Sequence, residues 1–183
     1  MSDLRFYSAS GAFKWAVEAA QRPGVVSSTQ VVIRGLAEQV GDRSLTRDDI
    51  LDTALSILAR VNRIEPETPR LAFKSVLSPG EEERDQFVVS SLAATCRDEF
   101  GGDYSRYARL AHVALLQRRA DEQLAETVPR AWFAHALGIR RQSLQAWEPV
   151  IKRMEQLIDE WVGQAKRQAK LLLDDAGLLR DQD

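Results

Sequence analysis

Arginine, glutamine and serine side chains are concentrated at residues 140–145 of this 183-residue chain. Arginine can donate two hydrogen bonds to the edge of a guanine, glutamine can pair with an adenine, and serine can bind a phosphate oxygen. These residue types therefore suit base reading in the major groove of DNA. The candidate DNA-contacting residues are Arg140, Arg141, Gln142, Ser143 and Gln145, joined by the basic residues Lys152 and Arg153.

The segment around these side chains, residues 130–149, reads RAWFAHALGIRRQSLQAWEP and predicts a helix-turn-helix. Such a motif needs a small residue where its helices cross, and Ala134 meets this need. Four residues later Gly138 suits a turn with a left-handed backbone. Leu144 then faces back to the first helix, and Leu137 and Ile139 are expected to be core residues. The competing interpretation is an ordinary helical corner with a polar surface.

A long amphipathic helix is predicted after this motif. Pro149 suits the start of a new helix better than the continuation of the preceding one. An apolar stripe runs from Ile151 to about Leu173, with basic residues on the other faces. The stripe could pack within the chain, pair with a second copy, or dock on a larger assembly.

The remaining patterns are also helical, so the predicted fold is all-α: a multi-helix domain with the helix-turn-helix in its C-terminal half. No alternating strand pattern of useful length is present. The predicted helices cover residues 11–22, stopped by Pro23-Gly24; 28–40, capped by Ser28; 47–63, with a Thr46–Asp49 capping box; 78 to about 100, capped by Ser78 and ended by Gly101-Gly102; and a helix capped by Asp103.

Two regions are expected, with residues 65–77 as the joint between them. Region 1–77 is a helical part suited to protein interaction, and region 78–183 is the DNA-binding part. The charge distribution agrees with a local nucleic-acid footprint, because residues 1–103 carry a net charge of −4 and residues 104–170 carry +5. A solvated helical surface would explain the same numbers equally well.

Several function classes are disfavoured by what the sequence lacks. Cys96 is the single cysteine, so neither a disulfide nor a cysteine zinc site is expected, and the two histidines, His112 and His135, have no ligand partner at metal-binding spacing. No phosphate-cradling loop or nucleophile elbow occurs. We therefore expect a cytoplasmic protein without enzymatic activity, cofactor, metal, small-molecule ligand or membrane segment. Its four tryptophans are expected in the core.

The stretch ALGIRRQSLQAW, followed by a long basic helix, resembles the phage Q-type transcription antitermination factors, specifically the AlpA-like antiterminators of Pseudomonas. The resemblance implies binding to a DNA element beside a promoter, engagement of a paused RNA polymerase and suppression of termination. It carries the DNA-contacting role to Arg140, Arg141, Gln142 and Gln145. Some Q proteins contain a cysteine zinc motif, which this chain lacks.

Two other functions stay open at this point. One is an operator-binding repressor or activator that dimerises through residues 150–173, and the other is a ring-forming phage small terminase. If the chain does act on RNA polymerase, residues 1–64 are candidates for the contact, with the helices around Trp15 and Arg34 facing the enzyme. The competing expectation is that these helices only complete a common core.

Overall fold

The structure, a computed structural model, describes residues 4–21, 37–39, 45–123 and 128–180. These ranges are dominated by helices, which confirms the predicted all-α class, and the described helices include none that is long and apolar enough to cross a bilayer. In chain order the described elements are β1 (Leu4–Phe6), α1 (Ala9–Gln21), β2 (Ala37–Gln39), α2 (Arg47–Val61), α3 (Glu67–Leu77), α4 (Glu82–Phe100), α5 (Tyr104–Gln123), α6 (Arg130–Ala136), α7 (Arg141–Ala146) and α8 (Glu148–Asp174).

The chain divides into two compact units, one made of residues 1–65 with 164–183 and the other of residues 66–163. The functional division at residue 77 stays a prediction. The expected joint over residues 65–77 is mostly helix, because α3 begins directly after Pro66. Pro69 lies in the first turn of α3, where a missing N–H removes no helical hydrogen bond.

A two-stranded antiparallel sheet belongs to the first unit and was not predicted. Leu4 lies opposite Gln39 in the register of β1 and β2. The predicted helix over residues 28–40 is therefore wrong at its end, where pairing with β1 overrides the local helical pattern; the rest of that prediction lies outside the described residues. The C-terminal segment also joins β1, since the Phe6 N–H donates to the Leu178 carbonyl over 2.8 Å and the Arg180 N–H donates to the Phe6 carbonyl over 3.0 Å.

Aromatic packing fills the centre of the first unit. The rings of Phe6 and Trp15 lie 5.0 Å apart, and Trp15 is only 2% exposed. Trp15 is therefore a core residue, as expected for the tryptophans, and Arg34 lies outside the described residues. That the exposed parts of the helices around these two residues contact RNA polymerase stays a prediction. Other buried residues of this unit are Leu4, Phe13, Ala54, Ile57, Val61, Ala165, Ala169 and Leu173.

Two predicted helix starts have different outcomes. The Thr46–Asp49 capping box is confirmed: the Asp49 N–H donates to Thr46 Oγ1 over 3.2 Å, and the Thr46 N–H donates to Asp49 Oδ2 over 2.9 Å. The predicted start at Ser78 is wrong, because Ser78 ends α3 and α4 begins at Glu82. Gly80 between them has a φ of +119°, which no right-handed helix contains.

The second unit is built around α4 and α5. Arg119 of α5 connects three elements, because its guanidinium lies 2.7 Å from Asp85 of α4 and donates to the Ser75 carbonyl of α3 over 2.9 Å. Asp103 caps α5 as predicted, accepting the Ser105 N–H over 3.0 Å. The apolar core of this unit includes Phe73, Val88, Leu92, Leu110, Ala111, Ala114, Leu115, Ile151, Met154 and Ile158.

Candidate nucleic-acid interface

Helices α6 and α7, which we call the helix pair, are joined by a turn at residues 137–140. Gly138 has a φ of +69°, as predicted for a left-handed turn. The Ile139 N–H donates to the Ala134 carbonyl over 2.8 Å, and the Gly138 N–H donates to the His135 carbonyl over 3.0 Å. These two bonds form a Schellman motif, which ends α6 and fixes the direction in which the chain enters α7.

The packing of the helix pair agrees in part with the sequence pattern. Ala134 and Leu144 are buried, as expected for the residues that hold the two helices together. Leu137 and Ile139 were expected in the core but are only half-buried, because the turn that carries them lies at the surface. Trp132 is likewise wrong as a core residue: it is 64% exposed, and its ring packs edge-on against Phe133 at 5.3 Å.

Aromatic contacts attach the end of the helix pair to α5. Trp147 follows α7 directly, and its ring lies 5.9 Å from the ring of Tyr107 in an edge-to-face arrangement. The Tyr107 hydroxyl donates to the Gly101 carbonyl over 2.5 Å. Edge-to-face aromatic pairs stabilise packing beyond the area they bury. The position of α7 therefore depends on α5 and on the turn that precedes it.

Ion pairs attach the start of the helix pair to α8. The Arg130 guanidinium lies 2.6 Å from Glu148 Oε1 and 2.5 Å from Glu155 Oε1. Partial burial acts to lower the pKa of Arg130, but hydrogen bonds and charge attraction from the two glutamates outweigh it, so the pKa is raised. Arg130 is therefore charged, and its two ion pairs hold α6 against α8.

The predicted DNA-contacting residues of the helix pair are on its solvent side. Arg140, Gln142, Ser143 and Gln145 are all exposed, while Leu144 between them is buried. Arg141 is the first residue of α7, but the structure describes only its backbone. The structure thus leaves four polar side chains of the turn and α7 free to meet a ligand surface.

The two predicted residues on α8 differ from each other. Lys152 is exposed, with Nζ 3.8 Å from Glu148. Arg153 donates to both carboxylate oxygens of Glu99 over 2.9 and 3.0 Å, and it also lies 3.5 Å from Glu160. The hydrogen bond from Arg153 lowers the pKa of Glu99, so this pair stays ionised at neutral pH. Arg153 therefore supports the packing of α4 and α8.

The apolar stripe of α8 is used within the chain. Most of its members are shielded from solvent, which supports packing within the chain, while Trp161 is only half-buried. The buried residues are Val150, Ile151, Met154, Leu157, Ile158, Val162, Ala165, Ala169 and Leu173.

Two arginines that the sequence did not indicate as site residues lie beside the helix pair. Arg106 and Arg109 of α5 line an open groove of about 450 Å³ together with Arg140 and Ser143. In the sequence they are recognisable only as two arginines three positions apart near the start of α5. Nothing in the sequence indicates that α5 and α7 line the same groove.

Comparison with protein-family models, curated proteins and solved structures finds no match for the chain. The case for its function therefore depends on the helix pair: a buried seam, a glycine turn and an exposed row of arginine, glutamine and serine side chains. Within the described ranges, no group of three or more histidine, cysteine or acidic residues is placed to hold a metal ion.

Proposed function

We propose that the protein is a sequence-specific DNA-binding transcription regulator, with the helix pair as its helix-turn-helix and α7 as the recognition helix. The supporting observation is the division of α7 into a buried Leu144 and exposed Gln142 and Gln145. A recognition helix must show polar side chains to the major groove while an apolar residue holds it on the domain. Glutamine is suited to an adenine edge, and Arg140 and Arg141 are suited to guanine.

Within this class, the resemblance of residues 136–147 to Q-type factors supports an antitermination factor that loads onto RNA polymerase near a promoter. Such a factor needs a DNA-binding element and a separate protein-binding surface. The helix pair supplies the first under our proposal. For the second, the exposed parts of the helix around Trp15 stay the candidate, while the Trp15 ring itself lies in the core.

DNA reading is tested by selecting bound duplexes from a random-sequence pool and measuring affinity for the selected site. The test variant is Gln142→Ala with Gln145→Ala, and its control is Gln156→Ala, which removes an exposed glutamine from α8. We expect the double variant to lose about 1–3 kcal/mol of preference per disrupted base contact, while the control keeps full preference. Failure to enrich any sequence from the pool would contradict the proposal.

Antitermination is tested by transcription in vitro on a template that carries the selected site beside a promoter and a terminator downstream. Read-through that requires both the protein and the site supports the finer proposal. The size of the protein in solution separates the alternatives: a monomer that co-elutes with RNA polymerase favours antitermination, a stable dimer favours an operator-binding repressor or activator, and a ring favours a small terminase. Most apolar residues of the segment 150–173, proposed for the dimer, are buried within the chain, which favours a monomer.

A further inference from the structure

The groove beside the helix pair is unusually basic for its size. It measures about 450 Å³, and its described lining contains three arginines, Arg106, Arg109 and Arg140, and no acidic residue. Arg106 and Arg109 act on the carboxylate of Asp103, whose pKa is lowered by hydrogen bonds from Ser105 and, to a lesser degree, by these two arginines. Asp103 is occupied in capping α5, and it does not line the groove.

The three arginines are exposed, and none of them forms an ion pair within 4 Å with a described residue. Most other arginines of the same unit differ in this respect, since Arg118, Arg119 and Arg130 all pair with carboxylates. Like charges that line one groove repel each other, and a bound anion offsets this repulsion. The groove therefore has the electrostatic character of a surface that binds an anion.

The orientation of one arginine is fixed by an aromatic ring. The guanidinium carbon of Arg106 lies 5.1 Å from the centre of the Trp147 ring, which is a cation–π contact. Trp147 in turn packs on Tyr107, so Arg106 is held by the same contacts that hold α7. Ser143 adds a hydroxyl to the groove. Guanidinium and hydroxyl donors together match the oxygens of a phosphate.

We propose that this groove binds a backbone phosphate of the duplex that α7 reads. Arg140 and Ser143 belong both to the groove and to the predicted reading surface, so a strand that contacts α7 brings its phosphates to Arg106 and Arg109. Contacts of this kind fix the register of a protein on DNA and carry no sequence information. This assignment rests on the proposed function.

The test measures affinity against salt concentration for the selected site and for a random duplex. Arg109→Gln is the first variant, because Arg106 also stabilises Trp147; Arg106→Gln with Arg109→Gln is the second. Each phosphate contact contributes about 0.9 to the slope of log affinity against log salt, which corresponds to about eightfold in affinity at 0.1 M salt. We expect Arg109→Gln to lose about that much on both duplexes, and the double variant to lose more. Circular dichroism and thermal unfolding check that both variants fold.

The matched control is Arg97→Gln, which removes the same charge from an exposed arginine that pairs with Asp98 on α4; it should leave affinity and salt slope unchanged. Unchanged affinity and slope in both groove variants, with normal binding by the parent protein, would overturn the groove assignment and leave the proposed function intact. A loss confined to the selected site would also overturn it, because it would indicate base reading.

A second arm uses inorganic phosphate at constant ionic strength. Competition by phosphate that disappears in Arg109→Gln, together with the loss of DNA affinity, supports the assignment to a DNA phosphate. Phosphate binding that disappears in Arg109→Gln while DNA affinity is unchanged would assign the groove to a free phosphate and overturn it. Absence of DNA binding by the parent protein would contradict the proposed function itself.

Discussion

Arg130 of α6 and Glu155 of α8 form an ion pair in which Nη2 lies 2.5 Å from Oε1. The Glu155 side chain is 9% exposed and the Arg130 side chain 22%, so the pair is largely removed from water. A carboxylate at this depth is costly without its partner. The attachment of the first helix of the pair to α8 therefore depends on one arginine that the sequence analysis did not single out.

Replacing Arg130 by methionine tests this dependence. We expect Arg130→Met to lower the free energy of unfolding by about 2–4 kcal/mol, somewhat less than for a fully buried pair, because Glu155 is left without its partner. Adding Glu155→Leu should recover part of the loss, since the buried carboxylate is then removed and the other partner of Arg130, Glu148, is 37% exposed. Chemical denaturation of the parent protein and both variants measures these differences. Equal stability of Arg130→Met and the parent would show that the pair contributes nothing.

The turn at Gly138 leads to a prediction about stability that depends on backbone strain alone. A Cβ added at Gly138 would meet no atom within 4 Å, but the φ of +69° is unfavourable for side chains. We expect Gly138→Val to cost at least about 1–2 kcal/mol of stability. Gly138→Asn is the matched control and should cost less, because asparagine tolerates the left-handed conformation. Thermal unfolding that ranks the two variants in the opposite order would contradict this explanation.

The proposed recognition role of Arg141 leads to a prediction about specificity. Under the proposal that α7 lies in the major groove, Arg141, the first residue of α7, is a candidate for a guanine contact. Arg141→Ala should then weaken binding to the selected site by about 1–3 kcal/mol and relax the preference at one base position. Arg167→Ala, at an exposed position of α8, serves as the control. Binding competition with single-base variants of the site measures both effects.

The raised pKa of the buried Cys96 thiol leads to a prediction about its reactivity. Burial, followed by the nearby charge of Glu99, raises the pKa of Cys96 from 9.0 to about 11. We therefore expect the folded protein at pH 8 to react far more slowly with a thiol reagent than the unfolded chain does. Reaction at equal rates in buffer and in guanidinium would contradict this expectation.

The same thiol links stability to alkaline pH. The unfolded thiol ionises near pH 9.0 and the folded one near 11, so the folded state binds more protons between these values. The raised pKa therefore stabilises the folded state by up to about 2–3 kcal/mol. This contribution is complete below pH 9 and is lost as the pH rises through 11. The difference between the parent and Cys96→Ala, measured by denaturation at pH 8 and pH 10.5, isolates this contribution from those of other groups.

Local signals predicted the elements whose causes are themselves local. The Thr46–Asp49 capping box, the glycine turn at Gly138 and the start of α8 next to Pro149 each depend on residues within a few positions. The start of α4 was misplaced because Ser78-Pro79-Gly80 imitates a cap while its glycine adopts a conformation outside any helix.

Features that depend on distant residues were not predictable in this way. The strand at Ala37–Gln39 exists because β1 pairs with it. The groove of Arg106, Arg109 and Arg140 requires that α5 lie beside α7, and no spacing along the chain records this. The exposure of the candidate residues on α7 could be predicted because it follows from the helical pattern. The ion pair of Arg153 could not, because its partner, Glu99, is 54 positions away.

The return of the C-terminal segment to β1 bears on the order in which the protein can fold during synthesis. Residues 66–163 leave the ribosome as a continuous stretch and can complete their own core at once. The first unit cannot be completed before Ala169, Leu173 and Leu178 are made, and these residues follow the whole of the second unit in the chain. Its early part, which includes the ring of Trp15, therefore stays incompletely covered while the second unit is being made, and during this interval it is the segment on which chaperones have most time to act.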